Sequence, residues 1–101
     1  MKLYLDATQP SPNGWVGVKT YEEFVLLLMT GPVEAVSLSH DLADGHTGLD
    51  VCEFIVACAR EKSLAPLRWS IHRAERADRA EMIGSLIKAN QAWTGEPVQT
   101  S

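Results

Sequence analysis

Segments of two kinds alternate along the chain, and this alternation limits its fold more than any other feature. Short runs rich in branched and aromatic side chains predict β-strands at residues 2–5, 15–19, 33–38 and 67–72. Longer runs with apolar side chains at helical spacing predict helices at about residues 21–29, 49–62 and 78–93. Strands that alternate with helices favour a parallel sheet covered by helices on both faces. The pattern therefore predicts a three-layer α/β fold with a four-stranded parallel sheet and about three helices.

Capping signals mark where two of the predicted helices begin. Thr20 is a good N-cap, and Glu23 three residues later completes a capping box. Thr47 is the corresponding N-cap of the second helix. Because the helical pattern runs out after the third helix, we expect a single domain over residues 1–93 and a flexible tail over residues 94–101.

Composition favours a soluble, folded protein of the cytoplasm. Hydrophobic residues make up 46% of the chain, and the only two cysteines, Cys52 and Cys58, lie in an apolar stretch where we expect core thiols. The longest apolar run, residues 24–29, is far shorter than the roughly 20 residues that cross a membrane. Nine basic residues against 13 acidic ones give a net charge of −4, which argues against binding of duplex DNA by broad electrostatics. We expect a small acidic protein with no membrane partner.

Polar side chains follow three of the predicted strands. Asp6 comes directly after the first strand, Ser39, His40 and Asp41 follow the third, and His72 ends the fourth. The carboxyl ends of parallel strands meet at one edge of a sheet, where open α/β sheets bind their ligands. A lone aspartate at a strand end is also an ordinary turn residue. Three polar groups at one edge nevertheless favour a functional site there.

Basic residues cluster just after the fourth strand. Arg73, Arg76 and Arg79 make up a third of the nine basic residues. Arginine offers bidentate donors to a phosphate, and a helix start offers a positive end. Histidine adds a group that titrates near neutral pH. The alternative is a solvated helix face. The sequence favours a site for one small phosphate.

Three segments resemble one known family. They are KLYLDATQPSPNGWVGVKTYEE, VSLSHDLADGHTGLDV and RWSIHRAERADRAEM. In this order and at this spacing they resemble the cyclic-phosphate processing receiver domains, over about residues 2–90. The positions that match the motifs of that family are Leu5, Asp6, Pro12, Gly14, Trp15, Leu38, His40, Asp41, Leu42, Thr47, Gly48, Asp50, His72, Arg79 and Met82. The positions that depart from them are Ala7, Gln9, Ser39, Ala43, Arg73, Glu75 and Asp78.

The resemblance implies a receiver-like, flavodoxin-like fold. It also implies a domain that acts on cyclic phosphates of nucleotides or RNA ends, often in conflicts between phages and hosts, and a phage-encoded copy would work in the host cytoplasm. Receiver-type Mg²⁺ sites need clustered oxygen ligands. Because Ala7 stands where the family has a second acidic residue, only a weak Mg²⁺ site at Asp6 and Asp41 is expected, and no resident cofactor.

The first functional hypothesis is an enzyme that hydrolyses or otherwise opens the ring of a cyclic phosphate. His40 and His72 can supply one base and one acid on opposite sides of the phosphorus atom, without a metal. Asp6 or Asp41 would orient a histidine and hold its tautomer. The residues that we expect to bind the substrate and stabilise its charge are Ser39, Thr47, Gly48, Arg73 and Arg79.

The second hypothesis is a catalytically degenerate binding module on the same scaffold, which sequesters a cyclic nucleotide or inhibits a host protein. The departures from the motifs favour it, since Glu75 places a negative charge where an anionic ligand prefers a neutral amide. A third hypothesis, a phosphoacceptor receiver, is the weakest. Asp41 stands beside His40 and not in an acidic pocket with a distant lysine.

Overall fold

The structure, a computed structural model, describes residues 1–95. Its strands are β1 (Lys2–Leu5), β2 (Val16–Val18), β3 (Ala35–Ser39) and β4 (Arg68–Arg73). Its helices are α1 (Tyr21–Thr30), α2 (Gly48–Arg60) and α3 (Arg76–Thr94). All seven predicted elements are present in the predicted order. Helix α3 reaches one residue into the predicted tail, and residues 96–101 lie outside the described part of the chain.

The four strands form one parallel sheet with the order β2-β1-β3-β4. The predicted four-stranded parallel sheet with three helices is confirmed, and it is consistent with the receiver-like, flavodoxin-like class. Because all strands run the same way, their carboxyl ends share one edge, as predicted. Within residues 1–95, no helix is long and apolar enough to cross a membrane.

One face of the sheet carries the hydrophobic core. Leu3 and Leu5 of β1, Val36 and Leu38 of β3 and Ile71 of β4 alternate onto this face. All three helices contribute to the same buried cluster, through Phe24, Leu28, Val51, Cys52, Ile55, Val56, Ala59, Met82, Leu86 and Ala89. The helices of the described residues therefore form a single layer on this side.

The opposite face of the sheet, called the open face below, carries Lys2, Tyr4, Ser37, Ser70 and His72, and none of these belongs to the core. The chain order explains the asymmetry. The connection from β2 to β3 contains α1, and the connection from β3 to β4 contains α2. Both connections step in the same direction across the sheet, so right-handed crossovers place α1 and α2 on one side. A loop joins β1 to β2 where a crossover helix would cover the other side. Residues 1–95 thus form two layers, not the three that we expected.

N-terminal caps fix where α1 and α2 begin, and with them the ends of the loops that precede these helices. The Thr20 side chain accepts a hydrogen bond from the Glu23 amide, as predicted, while the Glu23 carboxylate accepts from the amide of Lys19 and not of Thr20. Helix α2 begins with a complete capping box between Thr47 and Asp50. Hydrogen bonds and the helix charge favour the ionised form of the capping carboxylate. The Thr47 amide bond is the main cause that lowers the pKa of Asp50.

Candidate functional site

The carboxyl edge of the sheet brings together residues from three strands. Asp6 follows β1, Ser39 ends β3 and leads into His40 and Asp41, and His72 lies near the end of β4. The pairing of β3 with β4 shifts register beyond Leu38, so that His72 has no direct partner on β3. Such irregularities re-aim side chains at the rims of sheets.

Asp6 is a buried carboxylate whose two oxygens both accept hydrogen bonds. Its Oδ1 accepts hydrogen bonds from the amides of Thr8 and Gln9, both at 2.9 Å, and from the Thr8 hydroxyl at 3.2 Å. The other oxygen, Oδ2, lies 2.9 Å from Nε2 of His72. Burial by itself raises the pKa of Asp6, but the amides of Gln9 and Thr8, the His72 ring and the Arg73 guanidinium together lower the pKa to about 2. Asp6 is therefore ionised at neutral pH.

His72 is held on both ring nitrogens and on one ring face. Its Nδ1 lies 2.8 Å from Oγ of Ser37, which in turn accepts a hydrogen bond of 3.3 Å from the Ser70 hydroxyl. The ring stacks on Tyr4 with 4.1 Å between centroids and an interplanar angle of 13°. Because Asp6 is an acceptor only, Nε2 carries the proton toward it. The Asp6–His72 pair therefore has a fixed orientation and a fixed tautomer in its neutral form.

A second group surrounds His40 in an open cleft of about 470 Å³, called the His40 cleft below. The residues that line it are His40, Asp41, Arg73, Ala74, Glu75 and Asp78. Nδ1 of His40 lies 3.3 Å from Oδ1 of Asp41, and Nε2 lies 3.6 Å from Oδ1 of Asp78. The contact with Asp41 is a long hydrogen bond, whereas the contact with Asp78 exceeds hydrogen-bond length, so a substrate oxygen or a water can replace Asp78 at the ring.

Arg73 connects the two groups. Its Nη1 lies 3.9 Å from Oδ1 of Asp6, and the same side chain lines the His40 cleft. The side chain is 45% exposed, which leaves the guanidinium able to bind a ligand. Helix α3 begins next to it, and its N-cap, Glu75, makes no side-chain capping bond. The amides of the first turn of a helix are natural donors to an anion.

Three of the other four residues predicted to bind substrate make hydrogen bonds within the protein, and the fourth is Ser39. Thr47 caps α2, and the amide of Gly48 donates to the carbonyl oxygen of His40 at 2.7 Å. Nη1 of Arg79 donates to the carbonyl oxygen of Ile71 at 2.8 Å, and Arg79 does not line the His40 cleft. Ser39 is buried, and its hydroxyl has no hydrogen-bond partner. Of the five residues predicted to bind substrate, Arg73 lines the cleft, and Ser39, Thr47, Gly48 and Arg79 do not.

Sequence reasoning missed four residues that shape the site, namely Tyr4, Ser37, Ser70 and Asp78. A signal for the first three was present. In KLYLD, AVSLS and RWSIH the apolar residues alternate with polar or aromatic ones, which places the latter together on the face away from the core. No such pattern identifies Asp78, because its approach to His40 depends on where α3 begins relative to β3.

The weak Mg²⁺ site that the sequence predicts at Asp6 and Asp41 stays a prediction. Hard cations need carboxylate oxygens with free lone pairs. Both oxygens of Asp6 already accept hydrogen bonds, and Asp41 pairs with His40. Within residues 1–95 no group of three or more histidine, cysteine, aspartate or glutamate side chains is placed to hold a metal ion.

Of three comparisons with known proteins, one gives a match, and that match agrees with the fold. A comparison with curated proteins finds no match, and neither does a comparison with solved structures. A family model described as the cyclic-phosphate processing receiver domain matches residues 1–88, which include all four strands and most of α3. The predicted resemblance is thereby confirmed over nearly the whole chain. The chain belongs to the family of cyclic-phosphate processing receiver domains.

Proposed function

We propose that this domain opens a cyclic phosphodiester, on a nucleotide or an RNA end, at the carboxyl edge of its sheet. The observation that carries the proposal is the position of Arg73. Its guanidinium lies beside the Asp6–His72 pair and also lines the His40 cleft. A phosphate bound there would have one histidine on each side. Guanidinium groups bind phosphate oxygens with two parallel hydrogen bonds and stabilise the charge of the transition state.

His40 is the proposed general base. Its Nε2 faces the cleft, and Asp41 at Nδ1 orients the ring. A water molecule attacks phosphorus and gives its proton to the imidazole, while the bond between phosphorus and one ribose oxygen breaks. Asp78, at 3.6 Å, is the group that the attacking water displaces from the ring.

His72 is the proposed general acid. Its Nε2–H and the Arg73 guanidinium contact the same Asp6 carboxylate. A substrate oxygen held by Arg73 therefore lies close to the proton that His72 shares with Asp6. The imidazolium form of His72 gives that proton to the leaving ribose oxygen and keeps its second proton on Nδ1, toward Ser37. One water is consumed, and a phosphomonoester with a free hydroxyl is formed. Before the transfer, Asp6 orients the imidazolium and stabilises its charge.

The charge of the His40 cleft supports a cyclic ester as the substrate. Three carboxylates line the cleft, from Asp41, Glu75 and Asp78, against the single guanidinium of Arg73. A cyclic phosphodiester carries one negative charge, whereas the monoester formed by ring opening carries close to two at neutral pH. Like charges repel, so the cleft holds the reactant better than the product. The acidic residues then promote release of the product.

A catalytically degenerate binding module is the second candidate. The observation that favours it is the engagement of both nitrogens of His72, by Asp6 and by Ser37, at 2.9 and 2.8 Å. A ring held so firmly gives up its proton only when a substrate displaces one partner. If none does, the same edge binds a cyclic nucleotide or a protein partner without turnover.

Turnover of defined substrates separates the two candidates. The purified protein is incubated with 2′,3′-cyclic and 3′,5′-cyclic nucleotides and with an oligoribonucleotide that ends in a 2′,3′-cyclic phosphate, and ³¹P NMR follows ring opening. We expect His40→Ala to lower the rate about 100-fold or more. His46→Ala is the matched control, because His46 is an exposed histidine that pairs with Asp50 outside the cleft.

The outcomes are distinct. Turnover that is lost in His40→Ala and kept in His46→Ala supports the enzyme. Calorimetric binding of a cyclic nucleotide with no turnover supports the binding module. If the folded protein neither turns over nor binds any cyclic phosphate, the proposal is contradicted.

A further inference from the structure

The open face of the sheet has a chemical character unlike that of the rest of the molecule. The chain as a whole carries a net charge of −4, yet the strand side chains on this face include the cations Lys2 and Arg68. Among the described strand residues whose side chains lie on this face, and Asp6 after β1, only Asp6 carries a carboxylate. Both of its oxygens already accept hydrogen bonds within the protein. The face is therefore locally basic within an acidic protein.

The two cations lie in one row across three strands. Lys2 pairs in register with Ala35, and Ala35 pairs with Arg68. The small methyl group between them leaves a shallow groove of about 290 Å³, which Trp15 and Ser70 also line. Two cations separated by a flat floor suit a phosphodiester backbone that crosses the strands. A double helix is too wide and too rigid to lie in such a short groove.

Aromatic rings lie next to this row and lead toward the candidate site. Trp15 makes an edge contact with Tyr4, with 6.4 Å between centroids, and Tyr4 stacks on His72 at 4.1 Å. Nζ of Lys2 lies 5.7 Å from the centroid of the Trp15 ring. Several nucleic-acid-binding domains use a sheet surface with aromatic side chains and nearby cations to bind a single strand, because bases stack on the rings and phosphates contact the cations.

We propose that the open face binds a single strand of RNA whose last nucleotide, with its cyclic phosphate, lies at Arg73. This inference rests on the proposed function and names its substrate as an RNA end and not a free nucleotide. From Lys2 to Asp6 the strand β1 rises about 13 Å, which gives room for the nucleotides that precede the end. The Arg68 guanidinium offers donors, and the hydroxyl oxygen of Ser70, whose proton is donated to Ser37, offers an acceptor to base edges and to 2′-hydroxyl groups.

Binding of labelled oligoribonucleotides tests this proposal. Fluorescence anisotropy measures the Kd of a single-stranded octamer that ends in a 2′,3′-cyclic phosphate, of the same octamer with a 3′-hydroxyl end, and of the octamer annealed to its complement. Competition against the labelled octamer gives the Kd of 2′,3′-cyclic AMP. We expect the single-stranded cyclic-phosphate octamer to bind at least about tenfold more tightly than the mononucleotide, with an affinity that falls as salt rises.

Paired variants identify the surface. The double variant Lys2→Ala, Arg68→Ala and the single variant Trp15→Ala should each weaken octamer binding about tenfold and leave the Kd of the mononucleotide unchanged. The matched control is Arg60→Ala, Lys88→Ala, which removes two exposed cations from the helix side. Because Lys2 and Arg68 lie outside the core, both double variants should keep the thermal midpoint of the parent, which circular dichroism checks.

The outcomes separate this proposal from the proposed function. Octamer binding through the open face without ring opening would support the inference and contradict the enzyme. Turnover of mononucleotides, with an octamer that binds no more tightly than the mononucleotide, would support the enzyme and overturn the inference. Equal affinity for the duplex and the single strand would also overturn the inference. So would sedimentation that shows a dimer of the parent and a monomer of the double variant Lys2→Ala, Arg68→Ala.

Discussion

At the scale of single residues, the most informative one is Asp6. A carboxylate that is buried and still ionised at neutral pH needs compensation, and two backbone amides, a histidine and an arginine provide it. The sequence placed Asp6 and His72 at one edge of the sheet, but it could not show that they meet. Their contact joins residues 66 positions apart across the intervening strand β3.

The lowered pKa of Asp6 predicts how stability depends on pH. Its pKa falls from an ordinary value of 3.8 to about 2 in the folded protein. The ionised form therefore stabilises the fold by roughly 2 kcal/mol above pH 4, and this contribution is lost as the pH falls from about 4 through 2. We expect Asp6→Asn to lower the free energy of unfolding at pH 7 by about that amount.

Urea unfolding between pH 7 and pH 2 measures this effect. The difference between the parent and Asp6→Asn should shrink as the pH falls below 4. Asp41→Asn is the control, because Asp41 is exposed and should change stability little at any pH. A constant difference between the parent and Asp6→Asn down to pH 2 would mean that Asp6 is not held in its ionised form.

The three carboxylates of the His40 cleft predict selectivity among ligands. Asp41, Glu75 and Asp78 should make the cleft favour the singly charged cyclic ester over its doubly charged product. We expect 2′,3′-cyclic AMP to bind at least about fivefold more tightly than 3′-AMP at pH 7.5, measured by calorimetry. Substitution of Glu75 by Gln should reduce this preference, and equal or tighter binding of 3′-AMP to the parent would contradict the charge argument.

At the scale of elements, the junction of β3 with α2 determines where His40 lies. Gly48 opens α2 so close to the sheet that a methyl group there would overlap the carbonyl oxygen of Ser39 and would lie 2.6 Å from Cε of Met82 and 3.0 Å from Cα of His40. Two of these contacts are with backbone, which cannot move aside cheaply. The close approach, and not a special backbone angle, explains the glycine.

Substitution of Gly48 by alanine should therefore destabilise the protein and disturb the His40 cleft. We expect a loss of about 1–3 kcal/mol, with weaker binding of cyclic nucleotides. The matched control is Gly84→Ala in α3, where an added methyl group meets no atom within 4 Å and should stabilise the helix by about 0.5–1 kcal/mol. Thermal unfolding compares the two variants, and equal effects of the two would show that Gly48 is not closely packed.

The elements themselves were predictable, because their signals are local. Helical spacing identified all three helices, and the capping pattern at Thr47 located the start of α2 within one residue. The arrangement of layers was not predictable in the same way. Alternation alone implied helices on both faces, but the loop between β1 and β2 contains no helix, so the open face lacks the cover that such a crossover supplies.

At the scale of the whole molecule, charge is distributed unevenly. The net charge of −4 is an average over a surface on which the open face carries Lys2 and Arg68 and the carboxyl edge carries Arg73. The rest of the surface is acidic and repels the phosphates of long nucleic acids, which disfavours their binding elsewhere on the molecule. The distribution fits one small anionic group at the edge, which is the role that the proposed function gives to Arg73.

The central claim is that Arg73 holds a cyclic phosphate between His40 and the Asp6–His72 pair. The most direct test is kcat/KM for ring opening of a 2′,3′-cyclic phosphate by Arg73→Ala, compared with Arg60→Ala, which removes another exposed arginine, at the end of α2. We predict that kcat/KM falls at least about 100-fold in Arg73→Ala and changes less than about twofold in Arg60→Ala. Undiminished turnover by Arg73→Ala would contradict the claim.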